Sequence, residues 1–198
     1  MRVLVACEFS GRVRDAFLAK GHDAWSCDIV SGDGDNSRHI VADVRTILND
    51  GWDLMIAHPP CTYLTAAANS WFSPANLAKQ PERVQLRADA VDFFMEMINA
   101  PIDKICVENP KGVMSSRYKP ADQYIQPYWF GDKLQKLTGF WLKNLPHLVP
   151  TNVVEPDYIL YKGKRYEKTI SNGTKSKRAK LRSITPLGVA QAMADQWG

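Results

Sequence analysis

The sequence predicts an α/β fold built on a doubly wound, mostly parallel sheet. Two observations carry that expectation. Five strand-like runs occupy the first half of the chain, and helical or loop material separates them. Strands alternating with helices pair in parallel, because each crossover returns the chain to the same end of the sheet. The second observation is length: 198 residues suit one α/β domain and can bury a full core without staples.

The elements follow in order. Arg2–Ala6 is apolar and β-branched and reads as the first strand. Arg12–Lys20 has helical spacing through Val13, Ala16 and Phe17, and Gly21 stops it. Asp23–Cys27, a short His39–Ala42 and Asp53–Ala57 are the next three strands. The longest helix spans Pro81–Asn99, with Pro81 at its first position and Val84, Ala88, Val91, Met95 and Ile98 recurring at intervals of three and four. Pro101 ends it, and Asp103–Glu108 is the fifth strand. Lys111–Asp132 lacks a sustained period and reads as loop with short helical turns. Leu137–Leu142 and Tyr158–Tyr161 are further strands, placed at an antiparallel sheet edge. A closing helix runs over Thr185–Trp197, capped by Thr185, with Pro186 first and Val189, Ala192, Met193 and Trp197 facing inward.

Composition narrows the class. Hydrophobic residues at 45% and charged residues at 23% are ordinary for a globular protein, and no apolar run approaches the ~20 residues of a membrane span. The chain opens on a strand rather than a signal peptide, so a cytoplasmic location is expected. Cys7, Cys27, Cys61 and Cys106 form no zinc pattern, and the four histidines are scattered, so no metal is expected. Cys7, Cys27 and Cys106 sit in apolar runs and read as small buried hydrophobes. The net charge is +4, and Lys164–Arg182 holds eight Lys/Arg against one Glu. Such a run is either a solvated loop or a phosphate-binding segment.

The chemistry centres on Asp53-Leu-Met-Ile-Ala-His-Pro-Pro-Cys61-Thr-Tyr. Two prolines hold the backbone extended just past a strand, and the thiol that follows has little freedom to swing away. In an open α/β sheet the crevice beyond the carboxyl ends of the strands binds ligands. Cys61 is therefore the candidate nucleophile. Glu108 ends the neighbouring strand as Val-Glu-Asn-Pro, so a thiol and a carboxyl share one crevice. That pair suits addition of a thiolate to C6 of a pyrimidine with protonation at N3, which makes C5 nucleophilic. Near the first strand, Gly11 opens a helix, Asp28 follows it by 17 residues, and Asp43 ends the third strand. Acids at successive strand ends beside a glycine turn point to a nucleoside-containing cofactor.

These residues resemble the cytosine-5 DNA methyltransferases. Glu8-Phe9-Ser10-Gly11 is similar to their S-adenosylmethionine loop, His58-Pro59-Pro60-Cys61 to their Pro-Cys loop, and Val107-Glu108-Asn109-Pro110 to their Glu-Asn-Val motif. Lys136 and Thr138, ahead of Phe140-Trp141-Leu142, resemble a reduced Gln-x-Arg-x-Arg, and Arg182-Ser183-Ile184-Thr185-Pro186 resembles the last motif. The order matches over nearly the whole chain, most closely to short phage-encoded members. The resemblance implies the Rossmann-like methyltransferase fold, S-adenosylmethionine as cofactor and DNA as substrate. It makes Cys61 the nucleophile, with Glu108 on N3 and the exocyclic amine and Asn109 orienting the loop. Phe9, Ser10, Gly11, Asp28, Asp43, Pro59 and Ser183 fall to the cofactor. Pro60, Lys136, Thr138, Arg165, Lys177 and Arg178 fall to the substrate.

The sequence also departs from that pattern. Arg12 and Val13 replace the second glycine, Pro110 stands in Glu-Asn-Pro, Thr62 follows Cys61, and both arginines are gone. Residues 1–198 read as one methyltransferase-like domain, with a basic loop at about 162–182 instead of a target-recognition domain. Low sequence specificity or single-stranded DNA follows, since little chain remains to enter a groove. Three alternatives stand beside this reading. One is the same C5 chemistry on RNA or a free pyrimidine nucleotide, or with a modified methyl donor. Another is a non-catalytic nucleic-acid-binding protein that keeps the fold. The third takes the loop as a variant of the amino-group methyltransferase Pro-Pro-Tyr. Trp71, Trp129 and Trp141 read as packing residues, with Trp71-Phe72 able to cover a substrate.

Overall fold

Val3, Leu4, Val5 and Ala6 are fully buried in strand β1 (Arg2–Ala6), as a central strand covered on both faces must be. The computed structural model describes residues 1–162, 164–167 and 180–198. β1 pairs in parallel with β2 (Asp23–Asp28) on one side and β4 (Leu54–Ala57) on the other. β3 (His39–Val41) extends the sheet beyond β2, and β5 (Lys104–Pro110) extends it beyond β4. β7 (Thr138–Lys143) then runs antiparallel between β5 and β6 (Gln123–Ile125). The order is β3-β2-β1-β4-β5-β7-β6. This is a doubly wound, mostly parallel, Rossmann-like sheet, the fold class expected.

The pleat sorts the core residues between two layers. Val3, Val5, Leu54, Ile56, Cys106 and Phe140 face helices α1 (Arg12–Ala19) and α5 (Leu187–Trp197), where Phe17, Met193 and Trp197 fill the layer. Leu4, Ala6, Met55, Ala57, Ile105 and Val107 face α3 (Arg83–Ile98), with Phe94, Met97 and Trp141. Trp141 meets Phe94 edge-on at 5.1 Å between centroids. Two single-turn helices, α2 (Pro74–Leu77) and α4 (Met114–Arg117), lie in the connections.

The order of strands fixes where a ligand can sit. From β1 the chain winds outward to β2 and β3, then crosses back to β4 and β5. The direction reverses between β1 and β4, and the crevice at such a switch point is the preferred ligand site. Cys7 leaves β1 there, and His58 leaves β4.

Several boundaries differ from the sequence expectation. α3 starts at Arg83, and it buries Phe94, Met97 and Ile98, while Val84 is 58% exposed. Leu86 and Ala88 are exposed as well, so the apolar spacing in its first turns meets no core. β6 lies within the stretch read as loop, because three residues carry too little periodicity to announce a strand. β7 is internal rather than at the edge. Tyr158–Tyr161 (β8) pairs with β9 (Lys164–Glu167) in a separate hairpin instead of joining the main sheet. Pro186 occupies the cap position of α5, and Thr185 is buried with its carbonyl accepting a bond from Arg12. β3 stops at Val41, and Asp43 instead caps the short helical turn Val44–Thr46 by accepting the Arg45 N–H.

Candidate active site

A cavity of about 410 Å³ opens beyond the ends of β1, β4 and β5. Its wall includes Cys7, His58, Pro59, Pro60, Cys61, Glu108, Asn109, Gln135, Lys136, Arg182 and Ser183. A second cavity of about 330 Å³ lies over β2 and β3, lined by Asp28, Ile29, Asp43, Val44, Arg45 and Phe93. Cys7 and Pro60 belong to the walls of both.

The backbone that carries Cys61 is tied at several points. The His58 N–H donates to the Ala6 carbonyl at 2.9 Å, so the chain leaves β4 still paired to β1. The Asn109 side-chain amide donates to the Pro59 carbonyl at 2.9 Å, which ties the Pro-Pro turn to the tip of β5. Cys61 is exposed at the cavity wall, and its carbonyl accepts from Leu64 and Thr65 in the turn that follows. That turn is pinned from the other side: the Val113 N–H donates to the Leu64 carbonyl, and Ala66 donates to Lys111. Only a glycine fits at 112, where a Cβ would lie 1.9 Å from the Leu64 oxygen. Gly112→Ala is therefore expected to cost roughly 1–3 kcal/mol by overpacking and to displace the nucleophile loop. Denaturant unfolding, together with alkylation of Cys61, checks it.

Glu108 is the electrostatic centre. His58 Nδ1 donates to its Oε2 at 3.0 Å, and Lys136 Nζ lies 3.9 Å from Oε1. Burial alone would raise the carboxyl pKa, but Lys136 and the His58 bond overcome it and bring it down to about 2. Glu108 is thus an ionised acceptor at neutral pH. Cys61 responds in the opposite sense. The residue is open to solvent, but the protein around its Sγ displaces much of the thiol's water; that desolvation, then the Glu108 charge, pushes the thiol above the ordinary value, and Lys136 opposes them. The other thiols are held as neutral groups more strongly. Burial pushes Cys7 up to about 12 and Cys27 up to about 11, and carries Cys106 well above the ordinary range.

Three buried side-chain atoms lack any hydrogen-bond partner among the described residues: His58 Nε2, Asn109 Oδ1 and Gln135 Nε2. All three residues border the first cavity. Buried polar groups without partners are rare, and three around one cavity mark a place built for a polar ligand.

The structure brings Cys61, Glu108, Asn109, Pro59, Pro60, Lys136 and Ser183 to one cavity and Asp28 and Asp43 to the other. Asp43 accepts from the Arg45 N–H and pairs with its guanidinium at 3.1 Å; the backbone bond comes first in holding its carboxyl below the usual range. Asp28 accepts from Val30 N–H at 3.2 Å. Phe9, Ser10 and Gly11 line neither cavity. Ser10 donates to Glu8, whose buried carboxylate also accepts from the first-turn N–H groups of Val13 and Arg14 in α1. Gly11 turns the chain at φ +72°, a conformation that favours glycine. Thr138 is buried and donates to the Lys136 carbonyl, away from the cavity. Arg165 falls on β9, while Lys177 and Arg178 lie outside the described residues, as does most of the basic run.

Sequence reasoning missed Cys7, Gln135 and the His58–Glu108 bond. Cys27 and Cys106 are buried as expected, but Cys7 is half-buried, with φ +58° at the common wall of both cavities. Nothing in its residue type signals that backbone. Gln135 stands beside Lys136, and only a search for amides next to the degenerate motif would have found it. Among the described residues no cluster of metal-ligating groups exists, and no helix is long and apolar enough to cross a membrane.

No protein-family model matches the chain, and no curated protein does. Among solved structures it is similar to an E. coli protein described as a DNA modification methyltransferase encoded within a prophage. The two share 16% identity with a TM-score of 0.48, over 78% of this chain and 52% of that one. The chain thus spans about half the length of that protein.

Proposed function

We propose that this chain is a DNA cytosine-5 methyltransferase that works through a covalent bond between Cys61 Sγ and C6 of the target cytosine. The observation that carries the reading is the meeting of Cys61 and Glu108 on one cavity wall, among three buried polar atoms that lack partners. A pyrimidine offers donors and acceptors to such atoms. Cys61 attacks C6, and Glu108 accepts the exocyclic N–H. The proton for N3 comes from the donors flanking Glu108, His58 and Lys136. Asn109 keeps the Pro-Pro turn in register with β5, so the thiol and the carboxylate meet the same ring. C5 would then take the methyl that a bound donor supplies; loss of the C5 proton and of the proton added at N3, with departure of Sγ as thiolate, restores the aromatic ring.

The second cavity suits S-adenosylmethionine, which supplies an electrophilic methyl when bound. Asp28 and Asp43 line it and would accept from the cofactor's hydroxyl and N–H groups, and Cys7 and Pro60 form the wall it shares with the cavity of Cys61. In sequence, the basic stretch at about 162–182 falls where the family's recognition domain would be.

Two measurements test this. Nucleoside analysis of DNA incubated with the protein and methyl-labelled donor should yield labelled 5-methylcytosine; label on an exocyclic amine, or none, rejects the C5 reading. Titration calorimetry should show heat with S-adenosylmethionine or its demethylated product, and Asp28→Ala should weaken it roughly tenfold, the loss of one charge-assisted hydrogen bond. Undiminished binding by Asp28→Ala would move the cofactor elsewhere.

A further inference from the structure

The chain that leaves the cavity carries an aromatic surface next to unpaired positive charge. Residues Ala66–Phe72 form a 3₁₀ helix that starts at the cavity wall, where Thr65 and Ala67 contribute. Its far end presents Trp71, 47% exposed, followed by Phe72. At ~2 Å of rise per residue, Trp71 lies about 8 Å beyond Ala67, roughly two nucleotide steps of ~3.4 Å.

Helix α3 supplies the charge. Arg83 and Arg87 are four residues apart and share one helix face. The Arg83 guanidinium lies 4.9 Å from the Trp71 ring and 5.7 Å from that of Tyr63. Arg87 stacks on Phe72, donates to the Tyr63 carbonyl at 2.9 Å, and feels the repulsion of nearby Arg117 as well as its own burial. None of the ion pairs among the described residues uses any of these three arginines. The first turns of α3, which meet no core, therefore have a different occupation. They hold arginines against the aromatic face of the nucleophile loop.

An exposed indole costs free energy in water, and three arginines without acids repel one another. A strand of nucleic acid relieves both, because its bases stack on aromatic faces and its phosphates neutralise guanidinium groups. A duplex offers its bases stacked and paired, so it cannot use the indole. We propose that Trp71, with Arg83 beside it, is a stacking shelf for the single-stranded segment that adjoins the nucleotide in the cavity. The inference rests on the cavity being a nucleobase site. It assigns substrate contact to the loop after Cys61, in addition to the basic run near the C-terminus.

Fluorescence anisotropy with a labelled single-stranded 12-nucleotide DNA (about that length spans one such site) and its duplex tests it on the full chain, without methyl donor. Single-stranded DNA should bind more tightly than the duplex. Trp71→Ala should weaken single-strand binding about tenfold, a value within the range for one base stack, while Trp71→Phe keeps most of it. Trp71→Ala should leave the salt dependence unchanged, whereas Arg83→Ala should reduce its slope by about 0.7. A Trp71→Ala protein that melts lower but binds with wild-type affinity overturns the shelf and makes the cluster a packing device. Tighter binding of duplex than of single strand overturns it as well. Wild-type methyl transfer with an indifferent Trp71 removes the shelf and leaves the proposed reaction standing. Trp71-dependent binding without transfer does the reverse.

Discussion

Incubated with 5-fluorocytosine DNA and S-adenosylmethionine, the wild-type protein should gain the mass of the oligonucleotide, and Cys61→Ser should gain nothing. Fluorine at C5 blocks the elimination that releases the enzyme, so the bond from Sγ to C6 persists. A serine hydroxyl is far less nucleophilic than a thiolate near neutral pH, so the expected effect is complete loss. Intact-mass spectrometry reads it directly. Cys27→Ala and Cys106→Ala should retain the adduct, since both thiols are buried in the sheet core. An adduct that survives Cys61→Ser, or that maps to Cys7 at the shared cavity wall, means the wrong thiol was chosen.

The same thiol has a defined pH behaviour. Burial and Glu108 raise its pKa, so Cys61 is protonated at neutral pH in the free protein. The thiolate fraction then climbs tenfold per pH unit for as long as the pH stays below that raised value. Alkylation of Cys61 by iodoacetamide should accordingly rise log-linearly from pH 7 to about pH 9 without a plateau. Lys136 is the side chain that opposes the rise. Lys136→Met should slow alkylation at fixed pH, and adduct formation with it. A plateau near neutral pH would show a thiolate stabilised by something other than Lys136.

The parts of the site legible in the sequence are those encoded locally. A Pro-Pro turn after an apolar run announces a rigid strand end, and Glu108-Asn109 ends the neighbouring run, so their convergence needed only parallel pairing of β4 with β5. What was not legible depends on contacts distant in sequence. The His58–Glu108 bond joins residues 50 apart, and Lys136 reaches Glu108 only because β7 inserts antiparallel between β5 and β6. The period of α3 was visible, but not that its first turns stay exposed, with Arg83 against Trp71 and Arg87 against Phe72, nor that the indole expected as packing is open to solvent. Cys7 shows the limit most sharply, since backbone handedness at a strand end leaves no trace in an apolar residue pattern.

Glu108→Gln should separate acid stability from cofactor binding. The native carboxyl titrates at about 2 against an ordinary 4.5, so its folded pKa is depressed. A depressed acid stabilises the fold fully above the unfolded value and loses that contribution as pH falls through the window from about 5 to 2. At 1.36 kcal/mol per unit the full contribution is about 3 kcal/mol, of which roughly 1 kcal/mol is gone by pH 3.5. Urea unfolding at pH 7 and pH 3.5 should therefore show a smaller fall for Glu108→Gln than for the wild type, by about that last amount. The amide still accepts from His58 through its oxygen, so the fold should persist at pH 7, though weakened where Lys136 loses its partner. Cofactor affinity should be unchanged, because Asp28 and Asp43 lie in the other cavity. Trapping on 5-fluorocytosine should slow by roughly 10–100-fold, the worth of one charge-assisted hydrogen bond to the exocyclic N–H. Equal acid sensitivity in the two proteins would mean that Glu108 is not held ionised by His58 and Lys136, and unaltered trapping would remove it from the chemistry.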